Sequence, residues 1–457
     1  MAYNLLNSDS TTPWLANTAN DTYVLKEGVY LGVLGTAISG TAAVLNRKFQ
    51  IDGHVTAEGG GSGMFIGVDA FNGGSTTIAV SATGSVFGEA YGIVSHGGDL
   101  LLTNQGAIVG TTAGLYMDGF DNKVFNQGNL LSIDGVGISV QGIDNYIENS
   151  GTITGKTDGV LLADQDAMLV NSGAISSSDD TDTSAAVRLG DYSQVVNSGS
   201  VTNLNGIALL GNDGVNYVTN SGEVEGVVIL GGGDDYFFND QGAVYGDILL
   251  GDGSDVFVSA GGFFSGSISG GDGNDSYEID TPGINIIESA DAGQDSVSAG
   301  VSYTLMANFE DLTLTGVADL KGEGNASTNI ITGNVGNNRL LGRGGDDFIS
   351  GGAGADVLIG GAGTDRAYYY FSDAAVRVDL STGKGQGGEA EGDLLSGIED
   401  LSGSVLADRL TGNSGKNRLD GIYGNDRLTG AGGRDEFVFS SKSGSTNRDT
   451  IVDFADG

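Results

Sequence analysis

Three carboxylates at a fixed spacing offer the first chemistry in this chain. Asp235, Asp255 and Asp275 each follow a Gly-x-Gly, formed by Gly231 and Gly233, Gly251 and Gly253, and Gly271 and Gly273. They stand in LGGGDDYFF (230–238), LGDGSDVFV (250–258) and GGDGNDSYE (270–278). The copies return at a constant interval, and a fixed period of about 20 residues marks a stacked solenoid. Glycine tolerates φ > 0 without a Cβ clash, so each turn can bring backbone close to something small. The following Asp aims a carboxylate into that turn, and carboxylate and carbonyl oxygens are what a hard cation such as calcium takes. A Gly/Asp-rich surface turn without metal is the plainer reading, and the return of one nine-residue pattern weighs against it.

Two runs of unbroken nine-residue units follow. The first is GNASTNIIT (324–332), GNVGNNRLL (333–341), GRGGDDFIS (342–350), GGAGADVLI (351–359) and GGAGTDRAY (360–368). The second is GSVLADRLT (403–411), GNSGKNRLD (412–420), GIYGNDRLT (421–429) and GAGGRDEFV (430–438). Candidate metal-turn residues in the first run are Gly333, Gly336 and Asn338; Gly342, Gly345 and Asp347; Gly352, Gly354 and Asp356; and Gly361, Gly363 and Asp365. In the second they are Asp408; Gly415 and Asn417; Gly424 and Asp426; and Gly433 and Asp435. These residues resemble the RTX family, whose GGxGxDxUx repeat binds calcium. The resemblance spans about residues 230–440 and includes connecting stretches such as YTLMANFEDLTLTG (303–316). It implies calcium binding in a parallel β-roll and export by type I secretion. It does not imply one activity, because the family includes toxins, hydrolases, adhesins and surface-layer proteins.

The turns must be held by regular coils, and a second motif supplies them. ATGSV, NQGAI, NQGNL, NSGTI, NSGAI, NSGSV, NSGEV, DQGAV and AGGFF recur between Ala82 and Phe264, with Gly84, Gly106, Gly128, Gly151, Gly173, Gly199, Gly222, Gly242 and Gly262 at their centres. An apolar residue stands two places after each motif glycine: Val86, Ile108, Leu130, Ile153, Ile175, Val201, Val224, Val244 and Phe264. Like residues stack when coils lie about 4.8 Å apart, so these nine form one core column. Asn104, Asn126, Asn149, Asn171, Asn197 and Asn220 predict a side-chain ladder running from coil to coil. The calcium-type turn occupies the place of an ordinary Gly/Asn/Asp turn in coils that are otherwise unchanged. The fold class is therefore all-β: a parallel β-helix, with coils of about 20–23 residues, running into calcium-binding parallel β-roll blocks.

Spacing also predicts ion geometry. Neighbouring turns in the 230–278 stretch pair Asp235 with Asp255, and Asp255 with Asp275. In the nonads one coil holds two motifs, so partners lie two nonads apart: Asp347 with Asp365, Asn338 with Asp356, Asp408 with Asp426, and Asn417 with Asp435. About six ions are expected. Asn338 and Asn417 replace Asp, and Arg343 or Ile422 replaces Gly, which predicts weaker sites. At free calcium ten times Kd each site adds roughly 1.4 kcal/mol, so six give about 8 kcal/mol. That rivals a domain's whole stability of about 5–15 kcal/mol. At least residues 230–440 are then expected to order on calcium, at extracellular affinities of about 10⁻⁴–10⁻³ M.

Composition narrows the partners. Acidic residues outnumber basic ones 59 to 19, a net charge of −40, which disfavours nucleic acid and anionic membrane because both need clustered Lys and Arg. No cysteine is present, so disulfides and thiolate chemistry are excluded. No apolar run reaches the roughly 18 residues that a spanning helix takes, so no membrane insertion by a helix is expected. The opening MAYNLLNSDSTTPWLANTAND lacks the charged and apolar regions of a cleaved signal peptide. The resemblance instead implies a C-terminal export segment, which is either truncated here or contained in the final stretch ending RDTIVDFADG.

A catalytic reading has little to stand on. From Leu189 to Leu320 there is no Lys or Arg, so an acidic sugar lacks the cations that would bind its carboxylate. Asp118, Asp121 and Asp144 are candidates for a two-carboxylate glycosidase by position alone. No GxSxG, HExxH or P-loop pattern occurs. The expected organisation is 1–50 as an N-terminal cap or assembly segment, 51–283 as solenoid, 284–323 and 369–402 as inter-block strands, 324–368 and 403–440 as rolls, and 441–457 as a C-terminal cap or export segment. The expected function is a secreted, non-enzymatic calcium scaffold, structural or adhesive, that self-associates end to end and meets surface or matrix polysaccharide. A carbohydrate-active enzyme with an RTX tail and a non-catalytic lectin are the alternatives.

Overall fold

The computed structural model describes residues 3–16, 20–40, 46–67, 75–179, 183–290, 292–439 and 448–453. Among them a 3-10 turn at Gly388–Ala390 is the only helical piece and everything regular is strand. Two compact units divide the chain, Met1–Ser269 and Gly270–Gly457.

The first unit is a parallel β-solenoid. Tyr3–Leu6 pairs with Thr22–Leu25, which pairs with Arg47–Ile51, then Thr76–Val80, then Leu100–Asn104, all parallel. A second stack carries two strands per coil, such as Ser85–Gly88 and Tyr91–His96, each paired with its equivalent one coil on. Sequence alone makes 1–50 a cap or assembly segment. Its described strands already stack in register with the coils that follow, so coil geometry begins at Tyr3 and any capping role remains a proposal.

The predicted core column is present rung by rung. Val86 pairs with Ile108, Ile108 with Leu130, Leu130 with Ile153, Ile153 with Ile175, Ile175 with Val201, Val201 with Val224, and Val224 with Val244. All eight are buried, while Phe264, paired with Val244, is half-buried. Strands one side of which is core must keep an alternating pattern, and Gln194–Asn197 shows it as exposed, buried, half-buried, buried.

The asparagine ladder is also present. Amide to carbonyl-oxygen distances run 2.7 Å from Asn104 to Asn126, 2.7 Å from Asn126 to Asn149, then 2.8 Å on to Asn171, Asn197 and Asn220. A seventh rung, Asn239, accepts from Asn220 at 2.8 Å. Each side chain is buried, so every one needs its partners. The second amide hydrogen supplies them, as where Asn126 Nδ2 also reaches Thr152 O at 3.1 Å.

The second unit is a tighter solenoid. One stack runs through Ile330–Thr332, Phe348–Ser350 and Arg366–Tyr368 to Asp400–Ser402 and Arg418–Asp420. The other runs through Lys321–Glu323, Arg339–Gly344 and Val357–Ala362. Eight of its nine nonads put one apolar residue fully inside: Ile331, Leu340, Ile349, Leu358, Ala367, Leu410, Leu419 and Leu428 are all 0% exposed, while Phe437 in the ninth is half-buried. The inserted 369–402 segment adds Arg377–Asp379 and Lys384–Gln386 as an antiparallel pair, with Leu394–Ser396 continuing the parallel stack. No helix among the described residues is long and apolar enough to cross a membrane.

Candidate metal-binding turns

Numbering each nonad one to nine, the sixth position carries the acid. Its Oδ1 reaches the backbone N–H of the sixth residue one coil earlier. Asp347 accepts from Asn329 at 2.8 Å, Asp365 from Asp347 at 2.9 Å, Asp356 from Asn338 at 2.7 Å, Asp426 from Asp408 at 2.8 Å and Asp435 from Asn417 at 3.1 Å. The four pairs expected in the nonads are thus stacked neighbours. In the first unit Asp255 accepts from Asp235 at 2.7 Å, and Asp235 from Asn216 at 2.6 Å. Asp255 and Asp275 belong to different units, and the ion expected between them remains a proposal.

The second carboxylate oxygen decides the chemistry. Oδ2 of Asp235, Asp347, Asp356, Asp365 and Asp426 is buried with no hydrogen-bond partner. No ion pair among the described residues reaches these five acids. Burial pushes Asp235 up to about 8, Asp347 to about 6, Asp356 to about 7 and Asp426 to about 7, with neighbouring carboxylates adding to the rise. A buried charge without a partner is strongly unfavourable, so each of these carboxylates calls for either a proton or a cation.

A cradle lies where that oxygen points. A Cβ built on Gly342 would collide with Asp347 Oδ2 and lie 2.6 Å from the carbonyl oxygen of Gly360, one coil on. The first glycines Gly351, Gly360, Gly421 and Gly430 likewise face Oδ2 of Asp356, Asp365, Asp426 and Asp435. A carboxylate and a carbonyl from successive coils therefore border a space that only glycine leaves open. Hard oxygen donors around such a space fit calcium.

Two kinds of turn coexist. In one, positions two and four are left-handed, with φ of 83° and 130° at Gly352 and Gly354, and 126° and 143° at Gly361 and Gly363. The same holds at Gly231, Gly233, Gly251 and Gly253 in the first unit, and at Gly271 and Gly273 in the second. Arg343 at φ 76°, Ile422 at 69° and Ala431 at 71° occupy position two without being glycine, a strain of roughly 1–2 kcal/mol each. In the other kind, position two is Asn325, Asn334, Asn413 or Ser404. Its side-chain oxygen accepts the N–H two residues on, at 2.8, 2.7, 2.8 and 3.0 Å respectively. Its own N–H donates to the sixth side chain: Asn329, Asn338, Asn417 or Asp408. The oxygen that stands alone in the first kind is satisfied in the second. Asn338, Asn417 and Asp408, with Gly333, Gly336 and Gly415 beside them, therefore lie in turns whose inward donor is the backbone of position two. Of the weaker sites that the sequence predicts, those at Asn338 and Asn417 fall in this second kind and those at Arg343 and Ile422 in the first; their affinities remain a proposal.

Sequence reasoning missed two sets of residues. Position five carries no cue in the motif, yet Asp234, Asn337 and Asp346 accept the N–H of Ser254, Ala355 and Thr364 one coil on, at 2.8, 2.8 and 2.7 Å. The sixth-position column also continues through acids outside the nonads. Asp393 accepts from Asp356 N at 2.8 Å, Glu399 from Asp365 N at 3.0 Å and Asp449 from Asp426 N at 3.1 Å. Their signal was the acid-x-apolar remnant of the motif, as in Asp393-Leu-Leu and Glu399-Asp-Leu, stripped of its glycines. Of the glycosidase candidates, Asp121 and Asp144 are left-handed turn residues, whereas Asp118 Oδ2 lies 2.6 Å from His96 Nδ1.

Residues 323–367 and 402–437 match the family described as RTX calcium-binding nonapeptide repeat (4 copies). Both stretches are RTX repeats. No curated protein matches the chain. RTX repeats bind calcium, and on a parallel β-solenoid they fit a calcium-binding structural protein. The turns at 230–278 lie outside the matched RTX stretches, and their calcium remains a proposal.

Proposed function

We propose that this protein is a secreted, calcium-loaded β-solenoid that serves as a structural or adhesive scaffold at the cell surface or in extracellular matrix. The orphaned Oδ2 of Asp347, Asp356, Asp365 and Asp426, each facing a glycine cradle, carries the reading. Without a cation these columns hold repelling charge inside the fold; with about six ions they become cross-links between coils. Secretion rests on the RTX repeats, and self-association on the open strand edges that end a solenoid. Surface or matrix polysaccharide is the proposed contact of an adhesive form. A calcium titration of the full chain followed by circular dichroism and light scattering tests this. The expected result is a gain of β-signal and then of mass in millimolar calcium. An unchanged spectrum with and without chelator overturns the folding claim, and strict monomers in calcium overturn the assembly claim.

A second reading, glycan processing on the first unit, is favoured by one observation. His96 bonds to Asp118, and its ring lies 5.8 Å from that of Tyr116. Product release from neutral and uronic glycans, lost in His96→Ala, would support it; glycan-array binding without cleavage would support a lectin.

A further inference from the structure

We propose that Asp275, Glu288 and Asp295 form an additional calcium site in the second unit, outside the RTX repeats. One carboxylate oxygen from each lies within 4.8 Å of the others. Asp275 and Asp295 are 1% exposed and Glu288 is 9% exposed. Each of the last two commits one oxygen to the protein and leaves the other unsatisfied. Glu288 Oε1 accepts the N–H of Gly270 at 3.2 Å and the hydroxyl of Tyr277, while its Oε2 is buried with no hydrogen-bond partner. Asp295 Oδ1 accepts the N–H of Asp275 at 2.8 Å, while its Oδ2 is buried with no hydrogen-bond partner.

Charge identifies the ligand. Three carboxylates converge, and no ion pair among the described residues reaches Glu288 or Asp295. The sequence holds no Lys or Arg from Leu189 to Leu320. Oxygens bound to one calcium at about 2.3–2.6 Å lie up to about 5 Å apart across the ion, which the 4.8 Å cluster satisfies. Glu288 comes from GINIIESADAG (283–293), which has no Gly-x-Gly before the acid. The site is thus assembled from one repeat-like turn and two residues of the segment after it. It rests on the calcium reading of the Asp turns only through Asp275.

Crystals of the full chain grown with terbium in place of calcium test the assignment by anomalous scattering. A peak about 2.5 Å from all three carboxylates, absent in Glu288→Gln while peaks in the RTX turns remain, supports it. Calorimetry should then count one ion fewer in that variant. Peaks in the RTX turns with none at Asp275, Glu288 and Asp295 overturn this site and leave the RTX reading standing. No peak anywhere overturns both. Should Glu288→Gln fail to fold, Glu288→Asp withdraws the carboxylate by one methylene. A peak at undiminished occupancy in that variant overturns the role of Glu288.

Discussion

Calcium removal should make the second unit sensitive to alkali. Asp356 and Asp426 are held up to about 7, and Asp295, Asp347 and Asp393 to about 6, against an ordinary 3.8. At pH 5.5 the folded protein therefore keeps protons that the unfolded chain has released. Their contribution is complete below about pH 4 and disappears as pH rises through 6 to 7. Between pH 5.5 and 8 each acid near 7 gives up about 2 kcal/mol and each near 6 about 1 kcal/mol. Halving the sum for solvent screening leaves about 3 kcal/mol. For a unit of this size that is a fall in Tm of about 6–12 °C. The assay is thermal melting by circular dichroism, started in the cold, in chelator at the two pH values. At pH 8 the midpoint should fall below room temperature, so that calcium there restores the β-signal, and in millimolar calcium the fall should vanish because the ion replaces the protons. Equal Tm at pH 5.5 and 8 in chelator would refute the claim that these carboxylates are buried without a counter-charge.

Three further outcomes follow from single residues. Asp356→Asn keeps the acceptor for Asn338 N–H but removes the orphaned charge; it should raise stability by about 2 kcal/mol in chelator at pH 8 and bind less calcium, a sign reversal readable by melting and calorimetry. Asn149→Ala in the first unit removes the acceptor of one Asn126 amide hydrogen and the donor to Asn171 Oδ1, and costs about 2–4 kcal/mol, equally with and without calcium, by urea unfolding. Ile422→Gly relieves a left-handed residue at φ 69° and should stabilise by about 1 kcal/mol, or about 2–4 °C in Tm.

Much of this architecture was legible because stacking repeats its own signal. The column from Val86 to Val244 and the ladder from Asn104 to Asn220 announce themselves in sequence, since each coil must place the same side chain over the last. Asn239 escaped because its turn carries an extra residue, Gln241 at φ 60°, which shifts the Asn one place from its glycine. Asp393, Glu399 and Asp449 escaped for a different reason. They reach the column after insertions rather than after one more nonad, so contact replaces spacing, and the acid-x-apolar remnant that is left is too short to stand out without its glycines. The difference between Asp347 and Asp408 was equally hidden, because it lies in whether the residue at position two offers its N–H inward.

The fifth and sixth positions of a turn reach in opposite directions, Asp346 forward to Thr364 and Asp365 back to Asp347. Such reciprocal hooks make the double-nonad lap an indivisible quantum of length in these blocks. Duplicating a whole lap leaves every hook an eye to enter. Deleting a single nonad throws each later turn to the opposite flank. The roll can lengthen or shorten through inheritance or engineering in whole laps, or by an insertion that hands an acid back to the column, as those before Asp393 and Glu399 do.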